Sequence, residues 1–478
     1  MRNRRTKIIA TIGPSSSNPE ILKQLIKTID IARFNFSFGN YEAHKKNIEN
    51  IRTISEELNR NIAILQDIQG PKIRINKIFN NQIELKYNDI VSIIPGNKIQ
   101  EKNEIAITYD KLFSDVKPGD KILISDGYIE LEVEKISGVK IFAKVIQGGL
   151  LKDGKGLNIP VELKIPTISK KDEMDINFGL ENEVDYIALS FVRSSADILK
   201  LRDIFKNYKK DHPELSSFPG IIAKIERPEA LSDIEKIIKL SDGIMVARGD
   251  LGIELAFETI PKIQRDLIRK CQELSKPVII ATQLLYSMVN SIRPSRSEVD
   301  DVYNAVISGA DCLMLSDETA VGKHPIKAVD TFDMIIKEAE KDIVSYRNAT
   351  RPNITVEHNI ARAVSNAVCE LASEVKAKAI VSFTKSGFTA LLISKNRPDV
   401  DIFAITPEKS VMRKLALYWG VRPYLVQKIE NTDEIITTSE KCILDLNIAE
   451  SGDIIVITAG LPIAFTGITN LIKVHQIN

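Results

Sequence analysis

Eight short apolar runs, each followed by a turn and a longer amphipathic segment, constrain this chain more than any other feature. They are Lys7–Thr11, Ile29–Asn35, Ile62–Asp67, Tyr186–Phe191, Ile221–Glu226, Ile244–Ala247, Val278–Thr282 and Cys312–Ser316. Such alternation is the βα repeat of a parallel sheet, and eight strands are the number that closes a (β/α)8 barrel. The expected fold class is therefore α/β, built on a (β/α)8 TIM barrel.

The alternation is interrupted between the third and fourth runs, over residues 72–161. There Val, Ile, Lys and Gly alternate with period two through Lys121 to Ile146, with turn signals at Pro118-Gly119 and Ser137-Gly138. This reads as an inserted small β-barrel domain that leaves at Gly70-Pro71 and returns near Pro160, placed to act as a lid. The barrel is then expected in two parts, 1–71 and 162–342. Residues 343–478 restart the pattern with a helix Glu357–Glu374 and strands Ala379–Phe383, Ile402–Ile405 and Ile454–Thr458, a separate C-terminal α/β domain. Ile454–Ile472 carries no charge, but Gly460, Pro462, Gly467 and Asn470 break it, so strand, loop and strand is expected, with no membrane span.

Lys plus Arg (65) nearly cancel Asp plus Glu (64) in the 478 residues, so no global field attracts nucleic acid or an anionic membrane, and an anionic ligand must be met by a local cluster. Cys271, Cys312, Cys369 and Cys442 form no C-x-x-C pair, which argues against a zinc site or disulfide framework. The basic start, Met1 to Thr6, is not followed by a signal-peptide apolar region, and a cytoplasmic protein with free thiols is expected.

In a (β/α)8 barrel the reactive groups stand at the carboxyl ends of the strands. The fifth run ends in Lys224-Ile225-Glu226, and residues two apart on a strand share a face, so Lys224 and Glu226 should enter the mouth together. The sixth ends in Arg248-Gly249-Asp250-Leu251-Gly252, where the glycines would permit a tight turn and bring Asp250 to face Glu226. Two carboxylates suit Mg²⁺, which takes one or two protein carboxylates and fills its shell with water and ligand oxygens. The second run ends in Arg33-Phe34-Asn35-Phe36-Ser37 and the seventh at Thr282, adding an arginine able to grip a phosphate, and a hydroxyl. Together these are the parts of a phosphoryl-transfer site.

Taken singly, each has a plainer reading. Lys224 with Glu226 also reads as a rim ion pair, Asp250 as a helix cap, Arg33 as a loop clamp and Thr282 as a hydroxyl bonded to backbone. No Walker A or protein-kinase glycine loop occurs, which excludes those nucleotide folds.

The segments Thr11 to Ser16, Ala32 to Ser37, Leu189 to Arg193, Ala223 to Glu226, Met245 to Gly252, Ala281 to Gln283, Arg293 to Arg296 and Leu315 to Ala320, in this order, resemble the pyruvate kinase family across nearly the whole chain. The resemblance implies Mg²⁺ (or Mn²⁺) on Glu226 and Asp250, with a second ion arriving with the nucleotide. It implies phosphate contact by Arg33, charge stabilisation by Lys224, carboxylate binding at the Gly249 and Asp250 amides, and Thr282 near the proton delivered to the enolate. It places nucleotide contacts at Asn35, Arg74 and Lys155, with Asp126 on the lid facing the cleft. Phosphoenolpyruvate, ADP, ATP and pyruvate are the implied ligands, and a homotetramer the implied assembly.

Several positions depart from the family pattern. Its monovalent-cation pocket would be built by Asn35, Ser37, Asp67 and Ile68 with a nearby glutamate, but Lys72 stands in the glutamate's place and Ile68 lacks a hydroxyl. An ammonium on Lys72 would replace potassium, so activity without K⁺ is expected. Phe38 replaces a histidine near the nucleotide, Tyr286 a glutamate and Asp317 a glycine. Thr384, Lys385, Ser386, Gly387 and Thr389 resemble the family's effector-phosphate loop. Phe388 stands where sugar-bisphosphate-responsive members carry arginine, which leaves a monophosphate sugar or a nucleotide as effector, or a strand-to-helix turn that binds nothing. A metal-dependent enolate lyase and a catalytically silent metabolite sensor are the alternative functions.

Overall fold

The computed structural model describes residues 4–99, 101–161, 163–215, 217–342, 359–462 and 468–478. Eight parallel strands close a barrel: β1 Lys7–Thr11, β2 Ile31–Asn35, β3 Ala63–Asp67, β4 Tyr186–Leu189, β5 Gly220–Ile225, β6 Gly243–Ala247, β7 Val278–Ala281 and β8 Cys312–Leu315. Each pairs with its sequence neighbours, and β1 closes on β8 through Lys7 opposite Cys312. Every residue of β1, β3 and β5 is buried, as strands covered by helices on one face and packed inside a barrel on the other must be.

The helices outside obey local rules. Ser295 caps Arg296–Ile307 in a reciprocal box with Glu298, and Ser169 does the same with Asp172 at the start of Lys170–Glu181. Inside, Ile9, Leu65, Ile222, Met245 and Met314 meet Ala416 and Leu417, which the C-terminal domain sends into the amino-terminal end of the barrel. Tyr186 donates to the Lys414 carbonyl at 2.6 Å at the same end. With that end filled by apolar atoms, the opposite mouth is where the strands deliver their polar side chains.

Between β3 and β4 stands a second closed barrel of seven strands, Ile73–Ile78, Ile90–Pro95, Glu104–Ile107, Lys121–Ile124, Ile129–Ser137, Lys140–Gln147 and Gly156–Asn158. Its core of Ile, Leu and Val is separate from that of the large barrel. Gly119 and Gly138 take positive φ at the two turns read from sequence.

The C-terminal sheet has five strands in the order Val421–Leu425, Asp401–Thr406, Ala379–Phe383, Ile454–Ala459 and Leu471–Gln476, the last antiparallel. Val421–Leu425 was not expected: Arg422 and Pro423 break its apolar pattern, and its edge position tolerates a proline. The expected helix from Glu357 is seen from Asn359 to Glu374, its first residues lying outside those described. Among the described residues no helix is long and apolar enough to cross a membrane.

Candidate active site

The carboxyl ends of the strands converge on a buried charge network. Lys224, at the end of β5, directs its ammonium at Asp67 Oδ1 (3.0 Å), Glu226 Oε1 (2.9 Å) and Ser190 Oγ (2.7 Å), using all three of its donors. Arg33, in the middle of β2, pairs with the other oxygen of Asp67 at 2.7 Å and donates to Thr11 Oγ1 at 2.8 Å. Glu226 Oε2 accepts from the Phe191 amide at 2.7 Å, and Phe191 holds the strained positive φ of 55° that aims this amide.

Burial works against the charge on these groups, and their neighbours decide each case. Burial pulls the Lys224 ammonium down, but Asp67 and Glu226 outweigh it and hold it above the ordinary lysine value. Burial likewise opposes ionisation of Asp67, yet Lys224 and Arg33 bring its carboxyl below the usual range. Burial pushes the Glu226 carboxyl up, and Asp250 and Asp67 push in the same direction against Lys224.

Asp250 lies where a tight turn at Gly249 and Gly252 was expected. That expectation is corrected: Arg248–Glu254 is a helix that begins directly after β6, and neither glycine takes a positive φ. The absence of a side chain at Gly249 serves approach instead, since a Cβ there would stand 3.3 Å from Thr282 Oγ1. The Gly249 amide donates to that hydroxyl at 2.8 Å, and the hydroxyl donates to the Ala281 carbonyl at 2.7 Å. Thr282 and Gln283 both take positive φ, and Arg248 grips the Thr282 carbonyl (2.7 Å) while bonding both oxygens of Asp301 (2.7 Å each).

Lys72 pairs with Asp250 Oδ1 at 3.3 Å, so its ammonium contacts the carboxylate expected to hold the divalent metal. In the expected monovalent-cation pocket, Asn35 Oδ1 accepts from the Ser37 amide at 3.1 Å, and the Ile68 carbonyl accepts from Ser190 Oγ at 2.6 Å. Asp67 is already engaged there by Arg33 and Lys224.

Arg74 and Lys155 lie on the inserted domain. The Arg74 guanidinium donates to the Gly154 carbonyl (3.2 Å) and lies 5.8 Å from the ring of Phe38, which follows β2 and is 66% exposed. Lys155 is exposed on the strand turn, as is Asp126, and Gly127 beside it approaches Ile253 of the 248–254 helix. In the C-terminal loop, Thr384 Oγ1 accepts from the Gly387 amide and the buried Thr389 hydroxyl meets Thr469 at 2.8 Å, leaving Lys385 and Ser386 towards solvent. Gly387 has φ of 87° and caps the helix Phe388–Lys395.

Sequence reasoning assigned no role to Ser190, Thr11 or Arg248. Ser190 lay within a motif already singled out, and its place after an apolar run was the available signal. Thr11 ends the first run and had the same signal.

The donors fit a hard divalent cation: two carboxylate sources and no nitrogen or sulfur ligand. Among the described residues no cluster of three or more His, Cys, Asp or Glu is placed to form a metal cage.

Family models for the barrel domain and the α/β domain of pyruvate kinase match residues 3–329 and 362–475. A pyruvate kinase of Clostridium perfringens is 42% identical over 479 residues, covering 99% of this chain and 100% of the relative. One from Geobacillus stearothermophilus is 41% identical, covering 99% and 81%. The crystal structure of a pyruvate kinase from Cryptosporidium parvum superposes with a TM-score of 0.92 at 35% identity, covering 99% of this chain and 96% of that one.

Proposed function

The chain belongs to the pyruvate kinase family, and from that premise we propose how its barrel mouth performs the reaction. The protein is a phosphotransferase: the phosphoryl group of phosphoenolpyruvate passes to ADP, giving pyruvate and ATP in glycolysis. A terminal phosphate oxygen of ADP attacks phosphorus, the bond from phosphorus to the enol oxygen breaks, and the enolate takes a proton at its methylene carbon.

The observation that carries the residue roles is the buried ammonium of Lys224, held 3.0 Å from Asp67 and 2.9 Å from Glu226 with its charge retained. Lys224 stabilises the oxygens of the phosphoryl group in transfer and the enolate left behind, by a fixed charge needing no reorganisation. Arg33, oriented by Asp67 and Thr11, grips the phosphate. The amides of Gly249 and Asp250 receive the substrate carboxylate, the former exchanging its bond to Thr282 Oγ1, and Thr282 stands beside the proton that quenches the enolate. Glu226 and Asp250 would hold Mg²⁺, or Mn²⁺ in its place, which when bound neutralises charge on the transferring oxygens.

The inserted domain, 72–161, acts as a lid bringing Arg74 and Lys155 to the nucleotide opposite Asn35, and excludes water that would hydrolyse the donor. Lys72 reaches the mouth at Asp250, and we read the enzyme as independent of potassium. Residues 343–478 serve regulation and assembly, with the 384–389 loop as effector contact. A cytoplasmic homotetramer is the assembly we assign on the family resemblance.

The test is pyruvate formation from phosphoenolpyruvate, ADP and Mg²⁺, with and without potassium, beside Lys224→Met. Turnover lost in the variant and indifferent to potassium supports the assignment; no turnover by the wild type in any salt would sink it and favour the lyase or the sensor.

A further inference from the structure

The inserted domain joins the barrel by two crossings of the chain, and both are fastened to one short helix. The outgoing crossing, Gly70-Pro71-Lys72, turns through φ of 67° at Gly70, whose amide donates to Asp172 Oδ1 at 2.9 Å. Lys72 then reaches Asp250. The returning crossing runs from Asn158 to Thr167 and contains Pro160 and Pro166, which lack N–H groups and prevent a regular strand ladder.

Two arginines take the place of that ladder. Arg227 donates to the carbonyls of Ile159 (3.2 Å) and Val161 (2.8 Å), and Arg193 to those of Leu163 (2.7 Å) and Ile165 (2.8 Å). Four carbonyls at alternate residues are thus met by two guanidinium forks. Arg227 spends its other donors on Glu229 (3.2 and 2.7 Å) and on Glu254 Oε1 (2.6 Å), so all five of its N–H groups are engaged.

Asp250 and Glu254 are four residues apart on the helix Arg248–Glu254 and share one face. Lys72 of one crossing pairs with the first, and Arg227, holding the other crossing, pairs with the second. A cavity of about 30 Å³ lined by Pro71, Asn158 and Phe191 among others lies between the crossings, while Ile159 and Leu163 of the returning crossing pack into the core of the inserted domain.

We propose that Arg227 and Glu254 are positioning residues that set the lid: they clamp the returning crossing to the helix that carries Asp250, so the approach of the lid and the placing of that carboxylate are one event. Arg227 also directly follows Glu226, which ties the other carboxylate's strand to the same clamp. The inference rests on reading residues 72–161 as the lid that carries nucleotide contacts. Loosening the clamp therefore weakens the nucleotide most, since its contacts at Arg74 and Lys155 ride on the lid, whereas phosphoenolpyruvate feels the change only through Asp250.

The test uses full-length Arg227→Gln, Arg227→Lys and Glu254→Gln, with hydrogen exchange of residues 159–167 measured without substrates and KM measured separately for ADP and phosphoenolpyruvate. Arg227→Gln should speed exchange in that segment, and raise KM for ADP, by about tenfold, with a clearly smaller rise in KM for phosphoenolpyruvate, which feels the clamp only through Asp250. Arg227→Lys keeps the charge opposite Glu254 but cannot fork across two carbonyls, and should not restore either value. Should Arg227→Gln fail to fold, Glu254→Gln carries the same comparison. Exchange and ADP KM unchanged in these variants, or both KM values rising equally, would overturn the proposal. Exchange needs no turnover, so an inactive wild type would count against the kinase reading alone while faster exchange would still support the clamp.

Discussion

Lys395 Nζ lies 2.6 Å from Asp311 Oδ2, with both side chains 1% exposed, and this ion pair joins the C-terminal domain to the start of β8. Arg397 adds a bond of 2.9 Å to the other oxygen of Asp311 and places its guanidinium 4.5 Å from the ring of Trp419. One carboxylate thus serves two buried cations across a domain boundary. Burial pulls the Lys395 ammonium down, and Asp311 only partly restores it.

Asp311→Asn should therefore cost about 3–5 kcal/mol, because it leaves Lys395 and Arg397 buried without the carboxylate they share. Denaturant unfolding followed by the fluorescence of Trp419, the one tryptophan of the sequence, measures this directly. An unchanged midpoint would mean that the pair contributes nothing to holding the domains.

Lys224→Met should lower kcat by about a thousandfold, the scale on which a preorganised charge at a transferring group acts. Glu226, 2% exposed, loses its nearest cation in the variant and should take up a proton more readily. Steady-state rates at saturating substrates decide it, and a variant within tenfold of the wild type would remove Lys224 from the chemistry.

Replacing potassium by a bulky quaternary ammonium ion should leave the wild-type rate flat, whereas Lys72→Glu should make the rate fall and recover on adding potassium. The change substitutes a carboxylate for the ammonium now 3.3 Å from Asp250, so the site gains negative charge that a free cation must balance. A wild-type rate that tracks potassium concentration would refute the role given to Lys72.

His44 predicts a limb in the stability profile. Burial lowers its pKa, the bond from Nε2 to the Phe38 carbonyl (2.9 Å) and the charge of Asp175 oppose that, and Lys171 reinforces it. The unfolded chain then binds more protons near the ordinary histidine value, so the stabilisation is present above about pH 6.5 and is lost as pH falls through the folded pKa. Because His44 stacks on Phe36 at 4.3 Å, His44→Gln should lower stability at pH 8 and flatten the decline below pH 6.5. Parallel profiles for variant and wild type would show that another group titrates there.

Much of this was legible before the fold was known. The apolar runs anticipated β1 to β8 to within about two residues at either end, since burial on both faces leaves a dense local signal. The edge strand Val421–Leu425 escaped because a strand paired on one side needs no such density and admits Pro423. The helix after β6 was taken for a turn because Gly249 and Gly252 suggest one, while the close approach of Thr282 that calls for glycine is invisible along the chain.

The sequence by itself determined the barrel, the inserted domain, the C-terminal sheet and the chemical types gathered at the strand ends, because periodicity and strand-end position are local properties of the chain. Only the tertiary structure decided who pairs with whom. Lys224 meets Asp67 across 157 residues and Lys72 meets Asp250 across 178, contacts that exist because the barrel closes and the inserted domain folds back. The charge states follow from the same step, since burial raises Glu226 against the pull of Lys224, while Lys224 and Arg33 together bring Asp67 down against burial.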